Sequence, residues 1–308
     1  MAKARAIIKR RKSIENIRKI TRTMELIATN RFRKALNRAT EAEAFTRKIA
    51  ELVADLGETS QEVTHPLLVR REPVRRALLL VLTSNRGLAG AYNGNVLRAA
   101  VGRLQDNQTA GTETSLEVAG KRGINYFRFR RTPADATYTQ FEDRPQYEEV
   151  EALADKYIKM YVQGSIDRFD VAYTQFVSTA RQVATVQTLL PITTADLGQA
   201  TASVRQSPPA TTAAAPPPTK GEPVPYEFLP DPQSILEEIV PVSFKVRLFK
   251  CFLDAAVSEQ IARMVAMGGA TKNADELVKS LTRQYNRARQ SQITRELADI
   301  VGAAAALQ

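Results

Sequence analysis

The sequence predicts an α/β unit plus a long antiparallel α-helical coiled coil, with the α/β unit inserted between N- and C-terminal helices. Three observations carry this. No Gly occurs before Gly57 and no Pro before Pro66, while apolar residues step by three and four along residues 1–57. Residues 74–197 alternate strand-like and helix-like runs, the pattern of an α/β unit with a largely parallel sheet. Beyond Pro241 there is no further Pro, and helical spacing returns to give a second long helix over 233–302.

The first helix carries its stripe on Ile14, Ile17, Ile20, Met24, Ile27, Ala28, Phe32, Ala35 and Ala39, continuing through Phe45, Ile49 and Leu52. Roughly 50 to 56 residues at about 1.5 Å each make a rod of roughly 75–85 Å. Such a rod is too long for an ordinary globular helix and requires a coiled-coil or hairpin partner. It is also basic. Residues 1–48 hold 15 Lys and Arg against Glu15, Glu25, Glu41 and Glu43, and that local net of +11 equals the net charge of the whole chain. The basicity belongs to one element, which asks for nucleic acid, an anionic membrane surface or acidic protein, or else is a solvated face.

In the middle of the chain, strands are expected at Arg75–Ser84, Ser115–Gly120, Phe169–Ser178 and Val183–Ile192. Helices are expected near Asn93–Gln105, Gly123–Phe129 and Tyr147–Gln163. This is a small Rossmann-like domain. Its first turn, "TSNRGLAGAYNGN", places Gly87, Gly90 and Asn93 between strand and helix, but the spacing matches neither G-x-G-x-x-G nor a loop ending in G-K-[ST]. "GKRG" (Gly120–Gly123) fails for the same reason, so the glycines are read as serving a tight turn. Residues 198–225 hold seven of the 15 prolines and no aromatic residue, the composition of a Pro/Ala-rich disordered insert.

Composition excludes several classes. No apolar run approaches the roughly 20 residues of a membrane span, and the N-terminal stretch lacks the apolar core of a signal peptide. Cys251 is the only cysteine and His65 the only histidine, so neither a disulfide nor a Cys- or His-based metal or catalytic cluster is expected. No cofactor is expected either. Two alternatives remain. One is a nucleotide-binding α/β protein with a helical dimerisation hairpin, which requires phosphate at Gly87–Gly94. The other is a basic coiled-coil nucleic-acid-binding protein, which rests on the charge of the first helix alone.

The ordered motifs resemble a known family. "ARMVAM" (Ala262–Met267), "ATKNA" (Ala270–Ala274), "YNRARQSQITRE" (Tyr285–Glu296) and the closing Ile300–Val301 are similar to the C-terminal signature of the γ subunit of F-type ATP synthases. "TSNRGLAGAYN" and "YEFLPDP" (Tyr226–Pro232) resemble further segments of it, and the opening helix resembles its start, so the likeness spans nearly the whole chain outside the insert. The resemblance implies a rotating central shaft inside a hexamer of α and β subunits, one copy per complex. It also implies attachment with the ε subunit to a membrane ring of c subunits, at the cytoplasmic face of the bacterial inner membrane. No membrane span, nucleic acid or catalytic site is implied on this chain. By the same resemblance Met24, Arg31, Arg33, Lys34, Arg263, Arg289, Gln290, Thr294 and Glu296 are assigned to the surface that meets the α and β subunits. Departures from the family pattern are Asn85 for an Asp, Thr23 for an Ala and Lys272 for an acidic or polar residue. The insert carries no cysteine, which removes the basis for a thiol switch.

Gly268 and Gly269 fall mid-helix, where each costs about 1 kcal/mol relative to Ala. The apolar phase continues across them, so a continuous helix is expected. Ile14–Met24 is expected opposite Arg263–Ala274, with the glycines relieving the bulk of Ile14, Ile17 and Ile20.

Overall fold

A computed structural model describes residues 2–59, 65–141, 144–192 and 232–306. The Pro/Ala-rich insert at 198–225 lies outside the described residues, as does most of "YEFLPDP". The elements in order are α1 (Ala2–Thr59), β1 (Arg76–Leu82), α2 (Tyr92–Thr109), β2 (Glu113–Ala119), α3 (Lys121–Phe129), β3 (Ala136–Tyr138), α4 (Tyr147–Val162), β4 (Arg168–Phe176), β5 (Gln182–Leu190) and α5 (Pro232–Ala306). The chain divides into two compact units. One comprises Met1–Phe32, Leu88–Gly90 and Gln260–Gln308, and the other Arg33–Gly87 and Ala91–Glu259. The division falls within α1 and α5 rather than at their ends.

The larger unit holds a five-stranded sheet in the order β3-β2-β1-β4-β5. β1 pairs in parallel with β2 and β4, and β2 with β3, whereas β5 turns back antiparallel on β4. β1 is central and buried along nearly its whole length, which is why "ALLLVL" is an unbroken apolar run. On one sheet face α2 and α3 pack Val96, Leu97, Ala100 and Phe127 against Leu79, Val81 and Val118. On the other face α4 and the Val240–Ala255 stretch of α5 pack Tyr157, Tyr161, Phe244 and Leu248 against Leu78, Leu80, Phe169 and Val171. β3 escapes sequence reading because three residues show no period. Pro241 lies inside α5 rather than at its start. Pro232 takes the first helical position, where its missing N–H costs nothing, and burial of Val240 and Phe244 holds the helix through Pro241.

Two buried ion clusters stiffen this unit. Asp170, fully buried on β4, accepts from Arg103 Nε (2.9 Å), Arg168 Nε (2.9 Å) and Thr188 Oγ1 (2.6 Å). Glu117 on β2 accepts from Tyr157 Oη (2.6 Å), Tyr138 Oη (2.8 Å) and Lys156 Nζ (2.5 Å). Burial and the Glu117 charge push the Tyr157 hydroxyl well above its ordinary pKa, so it stays a donor.

In the smaller unit α1 and α5 run antiparallel. Arg18 meets Asp275 (3.0 Å), Thr21 meets Thr271 (2.9 Å), and Glu25 lies against Gly268. These pairs correct the expected register: Arg18–Glu25 lies opposite Asp275–Gly268. The seam correction is larger. Ile7, Arg11, Ile14, Arg18, Thr21, Glu25, Ala28 and Phe32 step four and three and are all buried or half-buried on α1. Ile17, Ile20 and Ile27, which the apolar pattern placed inside, are exposed. Paired polar side chains and Ala28 share the seam with Ile7, Ile14 and Phe32, while Ile17, Ile20 and Ile27 point elsewhere.

Candidate functional site

The Gly-rich turn after β1 packs against the start of α3. At the start of α3, Lys121 N donates to Asn85 Oδ1 (3.1 Å), Arg122 N to Ser84 O (3.1 Å) and Gly123 N to Thr83 Oγ1 (2.9 Å). The amides that open α3 are therefore held by the turn after β1. Gly120, at φ 98°, lies so close to the Thr83 carbonyl that a Cβ has no room, and a Cβ on Gly87 would meet Arg122 Nη2 at 2.5 Å. Asn93 holds the turn from the far side, with Nδ2 donating to Ser84 Oγ (2.8 Å) and Oδ1 accepting from Ser84 N (2.9 Å). Gly90, at φ 55°, rests on α5, where a Cβ would lie 3.6 Å from Ala266 Cβ.

The carboxyl ends of β1 and β4 are where the strand order reverses, the usual ligand crevice of such sheets. Here α5 fills it. Tyr92 Oη donates to Ala255 O (3.2 Å) and Ser258 Oγ to Thr174 O (3.2 Å). Among the described residues no group of His, Cys, Asp or Glu has the arrangement to hold a metal ion.

The surface of the helix pair is different in kind. The register runs out near the start of α1, so the last turns of α5 have no α1 residue opposite them. Ile293, Leu297, Ile300 and Val301 are all exposed there and form one stripe at helical spacing. Further back, Ile17, Ile20, Leu26 and Ile27 on α1 and Val265 and Leu277 on α5 are exposed as well. Cations interleave them: Lys9, Arg10, Lys12, Lys19 and Arg22 on α1 are exposed. Exposed apolar side chains among the cations of α1 are the character of a docking surface.

The site residues assigned by resemblance distribute unevenly. Arg289, Gln290, Thr294 and Glu296 are exposed on the last turns of α5, and Glu296 accepts from Gln292 Nε2 (2.8 Å). Met24 and Arg31 are half-buried on α1. Arg263 is buried inside the smaller unit. Arg33 and Lys34 are exposed and belong to the larger unit. Ile17 and Ile20 escape sequence reasoning as surface residues because apolarity at helical spacing signals burial. Their spacing one position off a perfect heptad was the available signal.

An antiparallel helix pair with a polar seam and exposed apolar side chains, and a five-stranded α/β unit on the same chain, are the two parts of this fold. A sequence profile of the family described as ATP synthase matches residues 3–307. The chain is 50% identical over 308 residues to the ATP synthase gamma chain of Rhodopirellula baltica, covering 100% of both chains. It is 35% identical over 307 residues to that of Leptospira biflexa, again covering 100% of both. Its fold is similar to chains in two structures of the Euglena gracilis mitochondrial ATP synthase. In the rotor structure the TM-score is 0.62 at 16% identity, covering 95% of this chain and 99% of the other. In the OSCP/F1/c-ring structure it is 0.65 at 16% identity, covering 99% and 95%. The chain belongs to the ATP synthase gamma chain family.

Proposed function

We propose that this chain is the non-catalytic central stalk of an F-type ATP synthase, at the cytoplasmic face of the bacterial inner membrane. Its partners are the α and β subunits around the helix pair, and the ε subunit and c-ring at the other end. Ion flow turns the ring and the stalk with it, and the turning stalk drives the β subunits through binding, synthesis and release of ATP. The observation that carries this is the exposed, basic and apolar surface of α1 and α5 ending in a single-helix tip. Charge attraction to acidic loops is long-ranged and tolerates sliding, where interlocked packing would hold a rotor still. The stripe Ile293, Leu297, Ile300 and Val301 turns within an apolar sleeve. Inside the stalk, the Arg18–Asp275 and Thr21–Thr271 pairs keep the two helices from slipping, so torque passes along them together.

Purification of the complex in gentle detergent, with subunits identified by mass, tests this. The chain should appear with α and β ATPase subunits, and a complex without them overturns the assignment. The isolated chain should show no ATPase activity. Micromolar ATP binding at the Gly87 turn would instead favour the nucleotide-binding alternative.

A further inference from the structure

The end of the α/β unit opposite its Gly-rich turn has a chemistry that the stalk function leaves unused. β1, β2, β3 and β4 are mutually parallel, so the helices that precede β2, β3 and β4 all finish at the strands' amino ends. There α3 closes in "FRFRR" (Phe127–Arg131). Phe127 is buried, but Phe129 is 88% exposed, and Arg128, Arg130 and Arg131 around it are exposed too. No acidic residue occurs between Lys121 and Pro133. Arg130 is steadied by Tyr126, whose hydroxyl accepts from its Nη1 at 3.0 Å.

On the other sheet face, at the same end, Val162 closes α4 exposed. Its sequence neighbour Tyr161 donates from Oη to the carbonyl of Val69 (2.8 Å), and Val69 is exposed as well. Arg75, Arg76 and Lys159 are exposed around these valines. Several acidic groups at this end are turned to internal work. Asp167 accepts from the Arg75 and Arg76 amides, Asp135 from the Leu116 amide, and Asp170 is enclosed by arginines. Glu72, Asp106 and Glu113 remain exposed and leave the cations in excess.

We infer that this end of the α/β unit contacts an anionic lipid surface, with Phe129 inserted at headgroup depth and Arg128, Arg130 and Arg131 on lipid phosphates. Arginines around an exposed aromatic are the composition of an interfacial anchor. The apolar residues stand at separate points on two sheet faces rather than in one concavity. A deformable bilayer reaches both, whereas a rigid protein partner needs a continuous patch. A fluid contact also has no fixed angular position and so does not brake a rotor.

The chain contains no tryptophan, so Phe129→Trp in the full-length protein is a site-specific probe. Vesicles of equal phosphatidylcholine and phosphatidylglycerol should shift its emission to the blue, brominated lipid should quench it, and pure phosphatidylcholine should do neither. Changing Arg128, Arg130 and Arg131 to Gln in that background should raise the lipid needed by about a hundredfold. The basic α1 will also bind anionic vesicles, so Val177→Trp, at the opposite end of the sheet, is the control and should not shift. If the F129W protein binds vesicles and its emission stays unshifted, the inference is overturned. So it is by a shift that requires the purified c-ring and not lipid, which would mean a protein socket.

Discussion

Asn85 uses both ends of its amide. Its Nδ2 donates to Thr139 O and Phe141 O (3.1 Å each), while Oδ1 accepts from Lys121 N (3.1 Å). The departure from the family's Asp therefore has a physical account, because a carboxylate accepts but cannot donate to two carbonyls. Asn85→Asp should destabilise the larger unit by about 1–3 kcal/mol, read from urea unfolding. An unchanged midpoint would mean that those carbonyls find other donors. His65 offers a pH test. Burial holds its imidazole below the ordinary value of 6.5, with Glu237 pulling weakly the other way, and Nδ1 accepts from Leu67 N (3.1 Å). Folding thus disfavours the proton. The stability this contributes is fully present above pH 6.5 and is lost as the pH falls towards the depressed folded value. His65→Gln should flatten that acid slope of the urea midpoint, and a slope unaltered by the substitution would assign it to carboxylates. None of these roles was legible in the sequence, because each depends on partners brought close by the fold.

At the scale of elements, periodicity served where one face is buried and failed where two faces have partners. β1, β2, β4 and β5 lie within a few residues of their expected bounds because each carries a short apolar or β-branched run bounded by turn residues. α1 misleads, because its most apolar stripe is its outer one. Gly268 and Gly269 show the consequence. The helix is continuous across them, as expected, but Gly268 faces the Glu25 carboxylate (3.5 Å from a Cβ) rather than isoleucines, and Gly269 has open space. Gly269→Ala should therefore stabilise the chain by about 1 kcal/mol through helix propensity alone. Gly268→Leu should destabilise it, since Leu must displace Glu25 from its pairing with Arg22. Equal effects of Leu at the two positions in thermal unfolding would contradict this placement. In the sheet, Asp170→Ala strands two arginines and should cost about 3–5 kcal/mol.

At the scale of the molecule, the proposed coupling surface makes a sharper demand than stability. Met24 is half-buried on α1 beside Arg22. Met24→Lys adds a cation to a surface already basic, and should tighten attraction to acidic β loops and lower proton pumping per ATP hydrolysed in membrane vesicles. Family membership was readable from dispersed, ordered motifs. The α/β turn departs from both phosphate-loop spacings, which is visible in the sequence alone. The exposed isoleucines and the tip were not readable as surface, since apolar residues at helical spacing read as a buried stripe.

The most direct test follows the stalk while ATP is hydrolysed. Cys251 is buried, with its thiol raised to about 12 by burial. An introduced Ser178→Cys on the exposed β4–β5 hairpin is therefore the thiol that labels. With the chain assembled with its α and β subunits and the hexamer fixed to a surface, a probe on that cysteine should turn stepwise in one direction when ATP is added. A probe that stays still while ATP is hydrolysed would contradict the account.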